Sequence, residues 1–202
     1  MCWSFNASII TWIIALATAI YLLYRRKKND ITMGCLVLVY SSMQLWESLM
    51  WYDQKCGKVN LLGTKLAYIA LWSHVLAIGI GLYIEYKVKM PIAVGVGMLI
   101  LAFMLYPDTW KCSVPGPNGH LIWGFDPTFY ILVFSVAIAL SLYYIRPFTT
   151  AALISGLFIA SFILSFIYNT NMNTTGSFWC WICAVFSGVF VFTNLDYTKF
   201  KL

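Results

Sequence analysis

Charge is what this chain has least of. Only 10% of its 202 residues are Asp, Glu, Lys or Arg, with seven acids and two histidines in all, against roughly 25% charged in an ordinary globular domain. That shortage excludes a disordered chain and a coiled coil, both of which need many charged side chains in water. A soluble globule is excluded as well. Apolar residues make up 61% and mean hydropathy is +0.80, yet folding at this length buries only about 70% of the unfolded chain's surface. The chain therefore reads as resident in a lipid bilayer. Its net charge of +6 fits basic loops facing anionic lipid and calls for no nucleic acid.

Several chemistries are missing. The H-E-x-x-H, G-x-S-x-G and P-loop patterns are absent, and two histidines cannot supply a multi-histidine intramembrane hydrolase. The last apolar stretch contains no Lys, which excludes a retinal Schiff base there. No internal repeat of the bilobed-transporter kind is evident. An enzyme is therefore not the first expectation, and no cofactor is implied.

Long apolar runs are plentiful. They fall at about 8–24, 31–51, 66–84, 90–106, 128–145, 148–168 and 178–194, and about 20 such residues cross a hydrocarbon core of roughly 30 Å as a helix. Barrel strands would be shorter and alternating. The expectation is an all-α, polytopic membrane protein: one domain over 1–202 with seven spans and no room for a soluble domain. The first run is followed, not preceded, by Arg25-Arg26-Lys27-Lys28, so it reads as a retained helix rather than a signal peptide. Basic residues assign the sides. Arg25, Arg26, Lys27, Lys28, Lys87, Lys89, Arg146, Lys199 and Lys201 fall on one side; Lys55, Lys58, Lys65 and Lys111 fall on the other. The richer side is expected to be cytoplasmic, with the N-terminus outside and the C-terminus inside. Two glycosylation sequons, at Asn6 and Asn173, fall on the outer side.

Polar residues inside apolar runs are site hypotheses by default. Tyr40, Gln44, Glu47 and Trp51 recur at +4, +3 and +4, which places them on one helix face. Glu47 lies about 6 Å from the outer end at 1.5 Å per residue, where with Gln44 it can bind a cation, relay a proton, or tie helices together. His74 sits about 12 Å into the third run. It can face Glu47, or serve as a neutral, hydrogen-bonded core group.

Five of the six cysteines (Cys2, Cys56, Cys112, Cys180 and Cys183) map to the outer end. Cys56 and Cys112 lie in two outer segments and make a plausible disulfide in an oxidising compartment. Cys180 and Cys183 form a C-x-x-C at the expected outer start of the seventh helix. Redox or metal chemistry with Cys2 and His120 is one reading of them, and plain burial is the other. Segment 107–127, with prolines and glycines blocking helix and strand alike, carries Trp110, His120 and Trp123. It reads as a lid or as part of an interfacial aromatic belt.

The opening Met1-Cys2-Trp3-Ser4-Phe5-Asn6-Ala7-Ser8 and the stretch Gln44-Leu45-Trp46-Glu47-Ser48-Leu49-Met50-Trp51 resemble a family of small multi-helix membrane proteins. Those begin M-C-[FW]-S-x-x-A-S and carry Q-x-x-E-x-x-x-W in the second helix. Trp3 stands where the family more often has phenylalanine, and Ser48 where glycine is commoner. The resemblance covers about the first quarter of the chain and brings no substrate. It implies seven-helix membrane topology and marks Cys2, Ser4, Ser8, Gln44 and Glu47 as the first residues to mutate. The leading expectation is a channel or transporter for protons, a cation or a small solute, using Glu47, Gln44, His74, Cys2 and Ser4. The alternatives are a thiol- or metal-dependent membrane enzyme and a structural or receptor-like membrane protein.

Overall fold

A computed structural model describes residues 4–126, 128–168 and 172–188. The fold is helical: α1 (Phe5–Arg25), α2 (Asp30–Tyr52), α3 (Lys58–Tyr86), α4 (Met90–Met104), α5 (Thr128–Tyr144), α6 (Phe148–Tyr168) and α7 (Met172–Phe186). Between α4 and α5 lies a two-residue antiparallel ladder of β1 (Val114–Pro115) and β2 (Leu121–Ile122).

Helices α1 and α6 turn small and hydroxylic residues inward and large apolar ones outward. The inward stripe of α1 is Ser8, Thr11, Ala15, Thr18, Ala19 and Leu22, while Ile10, Ile13, Ile14 and Ile20 are more than half exposed. On α6 the inward residues include Ala151, Ser155, Ser161 and Ser165, and Ile159, Ile163 and Ile167 point out. Small and hydroxylic residues inside with branched apolar ones outside suit helices solvated by lipid. Three helices, Phe5–Arg25, Lys58–Tyr86 and Phe148–Tyr168, are long and apolar enough to cross a membrane. The other four fall short of this in hydropathy or in length, α5 with 17 residues. The inward face of α2 is lined with Tyr40, Ser41, Gln44, Glu47 and Ser48, which lowers its hydropathy. Both α4 and α7 have 15 residues, about 22 Å at 1.5 Å per residue.

The helix ends are local chemistry. Ser4 Oγ accepts from Ala7 N at 3.2 Å and caps α1, and Arg26 in the left-handed region (φ 54°) stops it. Asp53, just beyond α2, caps the next helix by accepting from Val59 N and Asn60 N at 3.1 and 3.2 Å. That cap lets α3 begin at Lys58, eight residues ahead of the apolar stretch at 66–84.

Turns gather at two ends. At one, Arg25 grips Asp30 through Nε and Nη2, both at 2.7 Å. Glu85 accepts from Ile31 N at 3.0 Å and from the Thr32 hydroxyl. Asn29 Nδ2 donates to Arg146 O at 3.2 Å while Asn29 Oδ1 accepts from the Tyr86 hydroxyl. These bonds join the α1–α2, α3–α4 and α5–α6 connections. At the other end lie the α2–α3 turn, the ladder segment and the start of α7, where Asn118 Nδ2 donates to Thr174 Oγ1 at 2.8 Å. Helix α3 is the hub, buried along most of its length and packed on α2, α4 and α5. The contact with α2 is close: a Cβ on Gly81 would stand 2.4 Å from Thr32 Cα.

Candidate functional site

The segment after α4 departs from the expectation that prolines and glycines would block a strand there. Gly119 takes φ 77°, Gly116 N donates to His120 O at 2.7 Å, and this tight turn brings Val114 opposite Ile122. Cys112 is bridged to Cys56 with the Cα atoms 5.5 Å apart. Asn60, near the start of α3, holds the segment down. Its Nδ2 donates to Met50 O and Ser113 O at 3.2 and 2.9 Å, and its Oδ1 accepts from Ser113 N at 3.0 Å. Sequence reasoning passed over Asn60, although an amide in a helix this apolar is a detectable signal.

So anchored, the segment delivers Trp123 to Glu47. Trp123 Nε1 donates to Glu47 Oε1 at 3.0 Å, and Gln44 Nε2 donates to Oε2 at 2.9 Å. Glu47 and Gln44 are fully buried. The indole stacks on Phe125, with centroids 5.3 Å apart and planes at 27°. It also presses on α7 so closely that a Cβ at Gly176 would come within 2.7 Å of its ring. Trp123 is therefore an interior ring and not part of an interfacial belt, and Trp72 and Trp179 are buried as well. Their rings fill the interior, and Trp179 Nε1 donates to Ser161 Oγ at 2.8 Å.

One turn below Gln44 on the same face is Tyr40, buried, with its ring edge-on to His74 at 5.6 Å between centroids. His74 is fully buried. Its Nδ1 lies 2.8 Å from both Ala70 O and Leu71 O. Carbonyls only accept, so Nδ1 carries the proton and Nε2 presents the lone pair in the neutral ring. His74 is therefore not joined to Glu47, correcting the expectation that the two could pair: one bonds its own helix and the other the ladder segment. His74 Nε2 and Tyr40 Oη are buried without a protein hydrogen-bond partner, an arrangement that costs about 1–3 kcal/mol per group unless something else supplies the bond.

The remaining expected residues scatter. Ser4 is used as the α1 cap. Asn6 is exposed in the first turn of α1, whereas its sequon partner Ser8 is buried. Cys2 lies outside the described residues, as do the side chains of Asn173 and Cys183. The seventh helix starts at Met172, not at 178, because Thr174, Thr175 and Ser177 are buried against the rest of the fold. Cys180 is thus mid-helix, a buried free thiol, and has no helix N-terminus beside it. His120, on the ladder turn, packs on Phe178 at 4.9 Å between centroids, and burial lowers its imidazole pKa to about 4. Among the described residues no three of His, Cys, Asp and Glu converge as a metal site would need. No protein-family profile, no curated protein and no solved structure matches this chain.

Proposed function

We propose that the chain is a seven-span membrane protein, N-terminus outside, that passes a proton, a cation or a small solute along the inward face of α2. One observation carries the reading. Glu47, Gln44, Tyr40 and His74 form a buried polar seam, descending from the ladder segment toward the middle of a bundle whose outer surface is apolar. Buried ionisable and polar groups are costly in lipid and concentrate where something must pass or bind. The sidedness has separate support. Arg25, Arg26, Lys27, Lys28, Lys87, Lys89 and Arg146 belong to the end with the three joined turns, and the Cys56–Cys112 bridge belongs to the other, as an oxidising exterior favours. Flux in proteoliposomes is the test, and Glu47→Gln is expected to abolish it while the fold persists, since the amide keeps shape and removes charge.

A second reading has an observation of its own. Each Glu47 oxygen accepts an N–H, so the carboxylate acts as a clasp that fastens the ladder segment to α2. If Glu47→Gln leaves flux intact and lowers only stability, as an amide that keeps one of the two acceptors should, while Glu47→Leu is more disruptive, the clasp is its whole role and the transport site is refuted.

A further inference from the structure

Helices α5 and α6 are joined only by Ile145, Arg146 and Pro147, so they leave that turn side by side. Toward the ladder end they do not close on each other, because α7 sends a ring between them. Trp179 meets Phe134 of α5 at 4.1 Å and Phe162 of α6 at 5.2 Å between centroids, edge to face in both cases. Its Nε1 donates to Ser161 Oγ at 2.8 Å, which holds the indole as a fixed wedge. The wedge leaves a groove of about 160 Å³. Ile131 and Ile138 of α5 and Phe158 and Ile159 of α6 are its walls, and the three rings are its floor. Ile131 and Ile159 are almost half exposed, so the groove opens sideways on the outer surface of the bundle. Besides the indole N–H, already donated to Ser161, Ser135 at the exposed rim brings the one polar side chain among the described lining residues. Toward the α5–α6 turn the space narrows to about 10 Å³ beside the buried Ser141 and Ser155, which ends the groove for hydrocarbon.

Chemistry and place together select the occupant. A lining without a charge or a ring of oxygens has nothing to hold an ion or a sugar. Apolar space of about 150 Å³ walled by Leu, Ile and Phe stays dry and takes up a molecule the size of benzene. Left empty, such walls forfeit their dispersion contacts. The groove is cut into the flank of α6, one of the helices long and apolar enough to cross a membrane. Ile163 and Ile167, also exposed, continue the row of Ile159 one and two turns on. What covers the groove in a bilayer is therefore hydrocarbon. Ile131 and Ile138 stand two turns apart, about 10 Å at 1.5 Å per residue, which fits within the roughly 15 Å that the chains of one leaflet fill. A helix, about 10 Å across, is too wide to enter between two walls of one hairpin, whereas a single alkyl chain is not. We infer that this groove is a lipid site, in which one acyl chain of a bilayer phospholipid lies between α5 and α6 against Trp179. The inference goes beyond the transport reading and rests only on its placement of α6 in a membrane.

The test uses the full chain in vesicles of phosphatidylcholine that carries a photoactivatable diazirine on one acyl chain, with adducts mapped by mass spectrometry. Adducts are expected to concentrate at 131–138 and 158–162, above the level on the exposed isoleucines of α1. In vesicles of dibrominated phosphatidylcholine, whose bromines quench tryptophan on contact, the buried Trp179 is expected to be quenched. That signal is read as the difference between wild type and Trp179→Phe. Ser135→Phe plugs the groove from its rim and should remove both signals, with the melting temperature and the α1 adducts unchanged. Should that variant fail to fold, Ile131→Trp closes the same rim. Adducts as dense on α1 as in the groove overturn the site, and so does Trp179 quenching that persists in the plugged variant. Absence of groove adducts, with a Ser135→Cys variant cross-linking to a second copy, gives the groove to a protein partner and overturns it too. Absence of adducts from the whole chain overturns the membrane placement along with the site, which separates that failure from the failure of the site alone.

Discussion

Replacing Trp123 by Phe keeps a ring in the same pocket and removes only the indole N–H. Glu47 Oε1 then loses the donor at 3.0 Å inside a fully buried site. Orphaning one buried acceptor costs about 1–3 kcal/mol. For a chain near 200 residues, about 2 kcal/mol corresponds to a fall in melting temperature of roughly 4–8 °C. Glu47→Leu should cost more, because it strands two donors, the Trp123 indole and the Gln44 amide at 2.9 Å. The double variant Glu47→Leu/Trp123→Phe should then be more stable than the sum of the singles by about 1 kcal/mol or more, since the stranded indole N–H is gone. A thiol-reactive dye that reports exposure of the free Cys35 and Cys180 on heating measures all three in detergent. A Trp123→Phe shift below 1 °C, or strict additivity of the two substitutions, would refute the clasp between Glu47 and the ladder segment.

Three further outcomes are expected. Reducing the Cys56–Cys112 bridge, which spans 56 residues, should remove about 4 kcal/mol on the chain-entropy account; equal melting temperatures with and without dithiothreitol, with reduction verified by mass spectrometry, would contradict this. Asn60→Ala strands Ser113 N and two carbonyls and should destabilise by about 2–3 kcal/mol. It should also speed proteolysis at 107–126, and cleavage at the wild-type rate would count against the anchor. Burial holds His120 near 4 in the folded protein, against about 6.5 when unfolded. Between those values the unfolded chain alone takes up the proton, so stability falls as pH drops from about 6.5 toward 4. In His120→Gln that part of the decline should vanish; melting curves that run parallel to wild type across the window would exclude the effect.

Composition and hydropathy alone determined that the chain is helical and carries helices long and apolar enough to cross a membrane, because both depend on totals and on runs within one segment. The alignment of Tyr40, Gln44 and Glu47 on one face was legible for the same reason: the helical period is a local property. Helix limits were legible only where polarity changes sharply. For α1, the basic cluster from Arg25 marks one end, whereas the Ser4 cap starts the helix three residues ahead of the expected run at 8–24. For α3 and α7, Asn60, Thr64, Thr174 and Thr175 look like loop residues to hydropathy, yet they are buried inside helices. Partners from distant segments satisfy them, Ser113 for Asn60 and Asn118 for Thr174. Tertiary structure alone decided who meets whom. It gave Glu47 to Trp123, 76 positions away, and not to His74, and it set Glu85 over the start of α2. It also left Tyr40 and His74 facing each other with unmatched polar atoms. A side chain's hydrogen-bond partner is chosen by packing between helices, and spacing along one helix holds no information about the rotation or depth of its neighbour.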